Sequence, residues 1–182
     1  TKLKYFRDGQ LEDRFIFTKN GGWVSQESYY SNGQLFYKKN FLDKNGKDIV
    51  EPYVQFFRDG KVNIKWDLDE DGNGTKEYYH ENGVLESKFE VRSHKKHGTE
   101  EEFYIDGTPK SVTNFNLGVK NGSQQTYSNT GKLRTKTNFK EGVEVGSRET
   151  YNESHKYDIG LIRVIFNEEG KMVTKEEYYF ND

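Results

Sequence analysis

Cysteine and alanine are both missing from this 182-residue chain, which holds one methionine, two prolines and two tryptophans. Without cysteine there is no disulfide framework and no thiolate metal site, and the redox compartment leaves no trace. With no alanine, little leucine, and 13 tyrosines and 13 phenylalanines, intrinsic preference runs against helices and towards strands. No apolar run approaches the ~20 residues needed to span a bilayer, so membrane insertion is not expected. A charge excess is missing too. The net charge is −2, with 14 basic against 16 acidic groups in residues 1–91 and 14 against 14 in residues 92–182. That balance removes the electrostatic footprint of a nucleic-acid or anionic-lipid binder. No nucleophile motif and no glycine-rich phosphate loop is present, which argues against an enzyme and leaves no catalytic or organic-cofactor residues to name.

What the chain does have is a repeat of about 24 residues, each copy placing an aromatic residue ahead of a turn glycine. The copies are YFRDG (Tyr5 to Gly9), YYSNG (Tyr29 to Gly33), FFRDG (Phe56 to Gly60), YHENG (Tyr79 to Gly83), FYIDG (Phe103 to Gly107), YSNTG (Tyr127 to Gly131) and FNEEG (Phe166 to Gly170). Such periods mark arrays in which one unit cannot bury its apolar face alone and must stack on its neighbours. Residues 1–182 therefore read as a single array.

Aligned on the glycine, position +2 is aliphatic (Leu11, Leu35, Val62, Leu85, Leu133, Met172) and position +8 is large and apolar (Phe17, Phe41, Leu68, Val91, Phe115, Phe139). Their even separation puts both on one face of a strand. Position +5 carries Arg14, Lys38, Lys65, Lys88 and Lys136, with Val112 the departure, and the odd offset sends these cations to the opposite, solvated face. A second strand follows: GTKEYY from Gly74, GTEEEF from Gly98, GSQQTY from Gly122 and GSRETY from Gly146. Its alternation gives another row, Glu77, Glu101, Gln125 and Glu149. Whether the two rows meet depends on strand register, which the sequence leaves open. Asn-Gly and Asp-Gly at the links suit tight hairpin turns with positive φ. The expected fold is all-β: an elongated, single-layer twisted antiparallel meander of about seven to eight tandem β-hairpins.

Two places break the period. Between Gly33 and Gly60 a longer loop is expected near Lys44 to Glu51, with Pro52 opening the next strand. Between Gly131 and Gly170 a degenerate copy at Tyr151 to His155 precedes a shortened unit, whose apolar segment Leu161 to Phe166 is expected to close the array.

Three groups of residues offer chemistry. Asp67, Asp69 and Asp71 before Gly72 form a D-x-D-x-D-G run that spaces carboxylates as a calcium loop does. Tyr78 stands where such a loop ends in Glu, and an acidic solvated turn is the plainer reading. Asp43, Asn45 and Asp48 echo the run more weakly. His94 and His97 are three apart, but Lys95 and Lys96 between them repel a cation. Trp23, Tyr37, Tyr53, Trp66 and Tyr78 could line an exposed aromatic row that binds a partner, or pack between neighbouring hairpins.

The pattern aromatic-x-x-Asn-Gly-x-Leu followed by Gly-x-x-x-Gly resembles the MORN-type repeat family in its bacterial variant. The second element stands here as GVKNG (Gly118 to Gly122) and GVEVG (Gly142 to Gly146), degraded to HKKHG at His94 to Gly98. What the resemblance implies is a protein-interaction array without catalytic residues, similar to antitoxin or immunity proteins of the YwqK type, with a toxin as partner, and to secreted envelope proteins. A carbohydrate or cell-wall binding array is the alternative. The chain starts at Thr1 without an initiator methionine and stops at YYFND. Both ends read as cut from something longer, and export or the cell envelope is favoured over the cytoplasm.

Overall fold

The computed structural model of the protein describes residues 1–41, 50–69, 71–152 and 159–179, and the chain divides into two compact units, Thr1–His94 and Lys95–Asp182. No helix occurs among the described residues. The first unit holds β1 (Lys2–Tyr5), β2 (Leu11–Phe17), β3 (Trp23–Tyr29), β4 (Leu35–Phe41), β5 (Val50–Phe56), β6 (Val62–Leu68), β7 (Gly74–Tyr79) and β8 (Leu85–Arg92). The second holds β9 (Lys95–Phe103), β10 (Pro109–Asn116), β11 (Val119–Tyr127), β12 (Leu133–Lys140), β13 (Val143–Tyr151), β14 (Ile159–Phe166) and β15 (Met172–Tyr179). Within each unit every strand pairs antiparallel with its chain neighbour, so each is the all-β hairpin meander that the repeat predicts.

The Asx-Gly links turn by a different geometry from the one expected. Only their glycines have positive φ, for example Gly9 at 87° and Gly33 at 84°, while Asp8 and Asn32 do not. Phe6 N–H donates to the Gln10 carbonyl (2.8 Å) and Gly9 N–H to the Phe6 carbonyl (3.1 Å), and the same pair of bonds recurs from Tyr30, Phe57, His80 and Tyr104. This is a three-residue loop, a type I turn followed by a glycine bulge. The acidic or amide residue therefore contributes its side chain and not a left-handed backbone. Asp8 Oδ1 accepts the Gln10 N–H, and Asn32, Asp59, Asn82 and Asp106 do the same two residues on, at 2.9 to 3.1 Å. Where the residue before glycine does not play this part, the one three before it does. Thr18, Asp69, Ser128 and Asn167 accept the N–H of Gly22, Asn73, Lys132 and Lys171.

The two-residue turns with positive φ at both positions occur elsewhere, at Leu117-Gly118 (47° and 91°) and Glu141-Gly142 (51° and 84°), with Ser93-His94 showing the same pair. Each turn bonds back to the preceding copy: Gly118 N–H to the Lys96 carbonyl (2.7 Å), Gly142 to Lys120 (2.9 Å), and His94 to Gly72 (3.0 Å). The repeat period is thereby stitched together at its turns as well as along its ladders.

Most apolar side chains are only half-buried. In the first unit Leu68, Phe89 and Val91 are buried together, with Tyr78 against them. Pro52 lies inside β5 and does not open it. The register slips between Lys39 and Phe41, a bulge that tolerates a residue without an N–H to donate. The loop expected near Lys44 to Glu51 falls outside the described residues except for Val50 and Glu51, which belong to β5. The degenerate copy at Tyr151 to His155 likewise lies outside them beyond Asn152. The segment Leu161 to Phe166 does not close its unit, because β14 pairs with β15 beyond it.

Gly74 has φ of 144°, and a Cβ there would overlap the carbonyl oxygen of Asp67. Gly9 has φ of 87° with nothing near its missing side chain. Gly74→Ala is therefore expected to cost about 3 kcal/mol, as backbone strain compounded by a clash, and Gly9→Ala about 1 kcal/mol. Urea unfolding of the two variants checks the order.

Candidate functional site

The register joins the two charged rows that the sequence left apart. Arg14 faces Glu27, Glu27 faces Lys38, Lys65 faces Glu77 and Glu77 faces Lys88. In the second unit Lys136 faces Glu149, Glu149 faces Arg163 and Arg163 faces Glu176. One side chain per strand enters this row, and cation and carboxylate alternate as the strands do. Each carboxylate of the row in the first unit is shared between two cations: Glu27 with Arg14 (3.2 Å) and Lys38 (3.4 Å), Glu77 with Lys88 (3.5 Å) and Lys65 (3.7 Å). Arg163 reaches Glu149 (3.1 Å) and Glu176 (3.4 Å).

A tyrosine two residues further along the same strand completes the acidic positions of β3, β7 and β13, while Glu101 has Phe103 there. The hydroxyls of Tyr29, Tyr79 and Tyr151 donate to Glu27, Glu77 and Glu149 at 2.7 to 2.9 Å, and Tyr127 donates to Gln125 at 2.7 Å. Burial pushes the Glu77 carboxyl up, but the Tyr79 hydroxyl and the Lys65 and Lys88 ammoniums outweigh it and hold the group below its ordinary value. Glu149 is lowered first by the Tyr151 hydroxyl, against burial, and further by Arg163. Burial and the hydrogen bond to Glu77 raise the Tyr79 hydroxyl.

Sequence reasoning missed Glu27, Arg163 and Glu176 as members of the row. Glu27 sits in a strand that opens on Trp23 and not on the Gly-Ser/Thr pair, and the shortened unit displaces the count that would have reached Arg163. In the ladder order the β5 position is Val54, between Lys38 and Lys65, and the β10 position is Val112, between Glu101 and Gln125.

The opposite face differs between the units. Trp23, Tyr37, Tyr53, Trp66 and Tyr78 all lie on this face of the first unit, half-buried. Phe15 and Phe17 meet Trp23 with ring centroids 5.7 and 4.9 Å apart, and Trp23 meets Phe41 at 5.4 Å. Tyr37 meets Tyr53 at 5.9 Å, Tyr53 meets Trp66 at 5.0 Å, and Tyr78 stacks on Phe89 at 5.9 Å. The Lys76 ammonium sits 3.8 Å from the centre of the Trp66 ring, and that of Lys39 lies 5.0 Å from the Phe41 ring. The five aromatics thus pack between neighbouring hairpins while keeping part of each ring in solvent.

In the second unit hydroxyls replace the rings. Ser111, Thr113 and Thr137 are buried there, Gln124 donates to Thr113 (3.1 Å), and Thr126 bonds Thr135 (2.7 Å). Phe115, Phe139 and Phe166 of this unit lie under Lys96, Lys120 and Arg148 at 5.0 to 5.4 Å.

The acidic run is drawn into the turn. Asp69 Oδ1 accepts from the N–H groups of Asn73 (2.8 Å) and Asp71 (3.0 Å), and its Oδ2 from the Asn73 side chain (3.2 Å). The Asn73 bonds lead in holding this carboxyl below its ordinary value. Asp67 is in β6 opposite Thr75. Among the described residues no group of three or more His, Cys, Asp or Glu side chains is gathered closely enough to hold a metal ion. The echo at Asp43, Asn45 and Asp48 lies outside them. His94 closes the first unit with its ring against Gly72, and His97 is in β9 of the second.

A carboxyl held low when folded contributes stability that is complete above its unfolded value, near pH 4.5, and is lost as the pH falls through the folded value. The melting temperature is therefore expected to fall between pH 5 and pH 3. Glu77→Gln/Glu149→Gln should show a shallower fall over that range, measured by circular dichroism.

Three stretches of the chain match the family model of the MORN repeat variant: residues 25–43, 72–91 and 120–141. Each runs from an odd-numbered strand through a glycine-bulge turn into the next: β3 to β4, β7 to β8, β11 to β12. The matches support a MORN-type repeat protein, and repeats of this type are interaction modules for proteins or membranes, not an enzyme family. No curated protein matches the chain.

Proposed function

We propose that the chain is a non-enzymatic protein-binding module whose binding face is the aromatic side of the first unit. The observation that carries this reading is the unequal treatment of one face by one repeat. Trp23, Tyr37, Tyr53, Trp66 and Tyr78 stand half-exposed in the first unit, where the second unit places Ser111, Thr113, Thr126, Thr135 and Thr137. A sheet that needed this face only for packing would be served by hydroxyl ladders in both units. Large aromatic rings left partly wet are the side chains enriched at protein interfaces.

A sugar-binding face is less well supported, because stacking on a pyranose needs an open ring face. The ammonium of Lys76 already lies over Trp66, and the rings meet one another at tilted angles of 35° to 53° along Phe17, Trp23 and Phe41 and along Tyr37, Tyr53 and Trp66. An antitoxin or immunity role, or a role among secreted envelope proteins, would be a special case of protein binding and rests on the sequence resemblance alone.

Affinity capture from the lysate of the source cell, read by mass spectrometry, tests the reading. Wild-type protein is expected to retain one protein in stoichiometric amount. Tyr53→Ala/Trp66→Ala should lose it by tenfold or more while keeping the strand circular dichroism spectrum. Retention of the wild type on purified peptidoglycan or a glycan array, with no stoichiometric protein, would overturn it.

A further inference from the structure

The charged row of the first unit ends at β1, where Leu3 stands opposite Arg14, and is broken at one strand inside it. Along β2 to β8 it reads Arg14, Glu27, Lys38, Val54, Lys65, Glu77 and Lys88. Odd-numbered strands supply the carboxylate, so β5 is where a third glutamate belongs. The substitution is double. β3 and β7 each carry a glutamate with a tyrosine hydroxyl bonded to it, Glu27 with Tyr29 and Glu77 with Tyr79, while β5 carries Val54 and Phe56. Carboxylate and hydroxyl have been exchanged together for an apolar pair. Phe56 pairs directly with Val62 of β6, and both are half-buried. The row is left with four cations against two carboxylates. Among the described residues Lys38 and Lys65 each have a carboxylate of the row on one side only, at 3.4 and 3.7 Å.

We propose that this place receives an acidic segment of a protein partner, with a carboxylate over Val54 between Lys38 and Lys65 and an apolar side chain against Phe56 and Val62. Strand spacing sets Lys38 and Lys65 about 10 Å apart across β5, so one carboxylate midway lies within reach of both flexible lysine stems. The incoming group completes the alternation that the neighbouring strands already show. Asp67, two residues beyond Lys65 on the same face, repels an anion at that end and directs it towards Val54 and Phe56. The break in the second unit has no such character, since Val112 stands between Glu101 and the neutral Gln125. This site lies on the face opposite Trp66 and Tyr53, so its failure would leave the aromatic-face reading standing.

The test uses the full chain and a displayed library of random 12-residue peptides. Wild-type protein is the bait, and binders are screened against Val54→Glu, which installs the residue that β3 and β7 carry. Peptides sensitive to Val54→Glu are expected to contain Asp or Glu beside an aliphatic or aromatic residue. They should bind that variant at least tenfold more weakly and should weaken on wild type between 50 and 300 mM salt, as screened charge pairs do. Lys38→Gln/Lys65→Gln should lose the same peptides and provides the second variant should Val54→Glu fold poorly. If no recovered peptide distinguishes the wild type from both variants, or if those that do lack acidic residues, the proposal is overturned.

Discussion

Strand register is the constraint on which everything else in this protein depends. Side chains in a strand alternate between faces with a period of two, so a slip of one residue would carry every charged side chain to the aromatic face and every ring to the charged one. Among the described residues few apolar side chains, Leu68, Phe89, Val91 and Val164, are buried deeply enough to resist such a slip. Elsewhere the turns do it. A glycine-bulge loop fixes how many residues separate the strands, and its N–H groups are consumed either by an Asx side chain before the glycine or by a Ser, Thr or Asx three residues ahead of it. The two-residue turns at Leu117-Gly118 and Glu141-Gly142 then bond to carbonyls of the copy before, which ties the phase of one hairpin to the next.

With register fixed, modest interactions become additive along rows. An exposed ion pair contributes about 0.2 to 1 kcal/mol and a cross-strand pair a similar amount. Here each carboxylate of the row in the first unit serves two cations and a tyrosine hydroxyl, so no single contact has to be strong. The long stems of lysine and arginine add cover: Lys96, Lys120 and Arg148 lie over phenylalanine rings that would otherwise face water. A sheet with 32% charged residues and no alanine can fold this way because its charged side chains are also its roofing.

Much of this was legible before any coordinates. The turn glycines, the apolar position at +8 and the cations at +5 placed the strands and their faces, but the aliphatic +2 position, expected beside +8, is carried to the charged-row face by a register shift that pairs Leu35 with Tyr29 and Leu85 with Tyr79. The sequence also picked out Trp23, Tyr37, Tyr53, Trp66 and Tyr78 together, and they do share one face. It could not show that the Lys and Glu rows meet, since pairing is a property of two strands and not of either. It misread the turns, because Asp-Gly and Asn-Gly serve two hairpin geometries that differ in whether the side chain or the backbone of the Asx residue is used. Glu27, Arg163 and Glu176 escaped because irregular copies shift the count. Val54 was invisible as a departure until the row it interrupts had been assembled across seven strands.

The central claim, that cation and carboxylate alternate across neighbouring strands of one face, is tested most directly by cross-strand nuclear Overhauser effects on isotope-labelled protein. Glu77 should show contacts to both Lys65 and Lys88, and Val54 to both Lys38 and Lys65. Contacts from Glu77 to Trp66 or Phe89 in their place would mean a register slipped by one residue, and the alternating row, with its gap at Val54, would not exist.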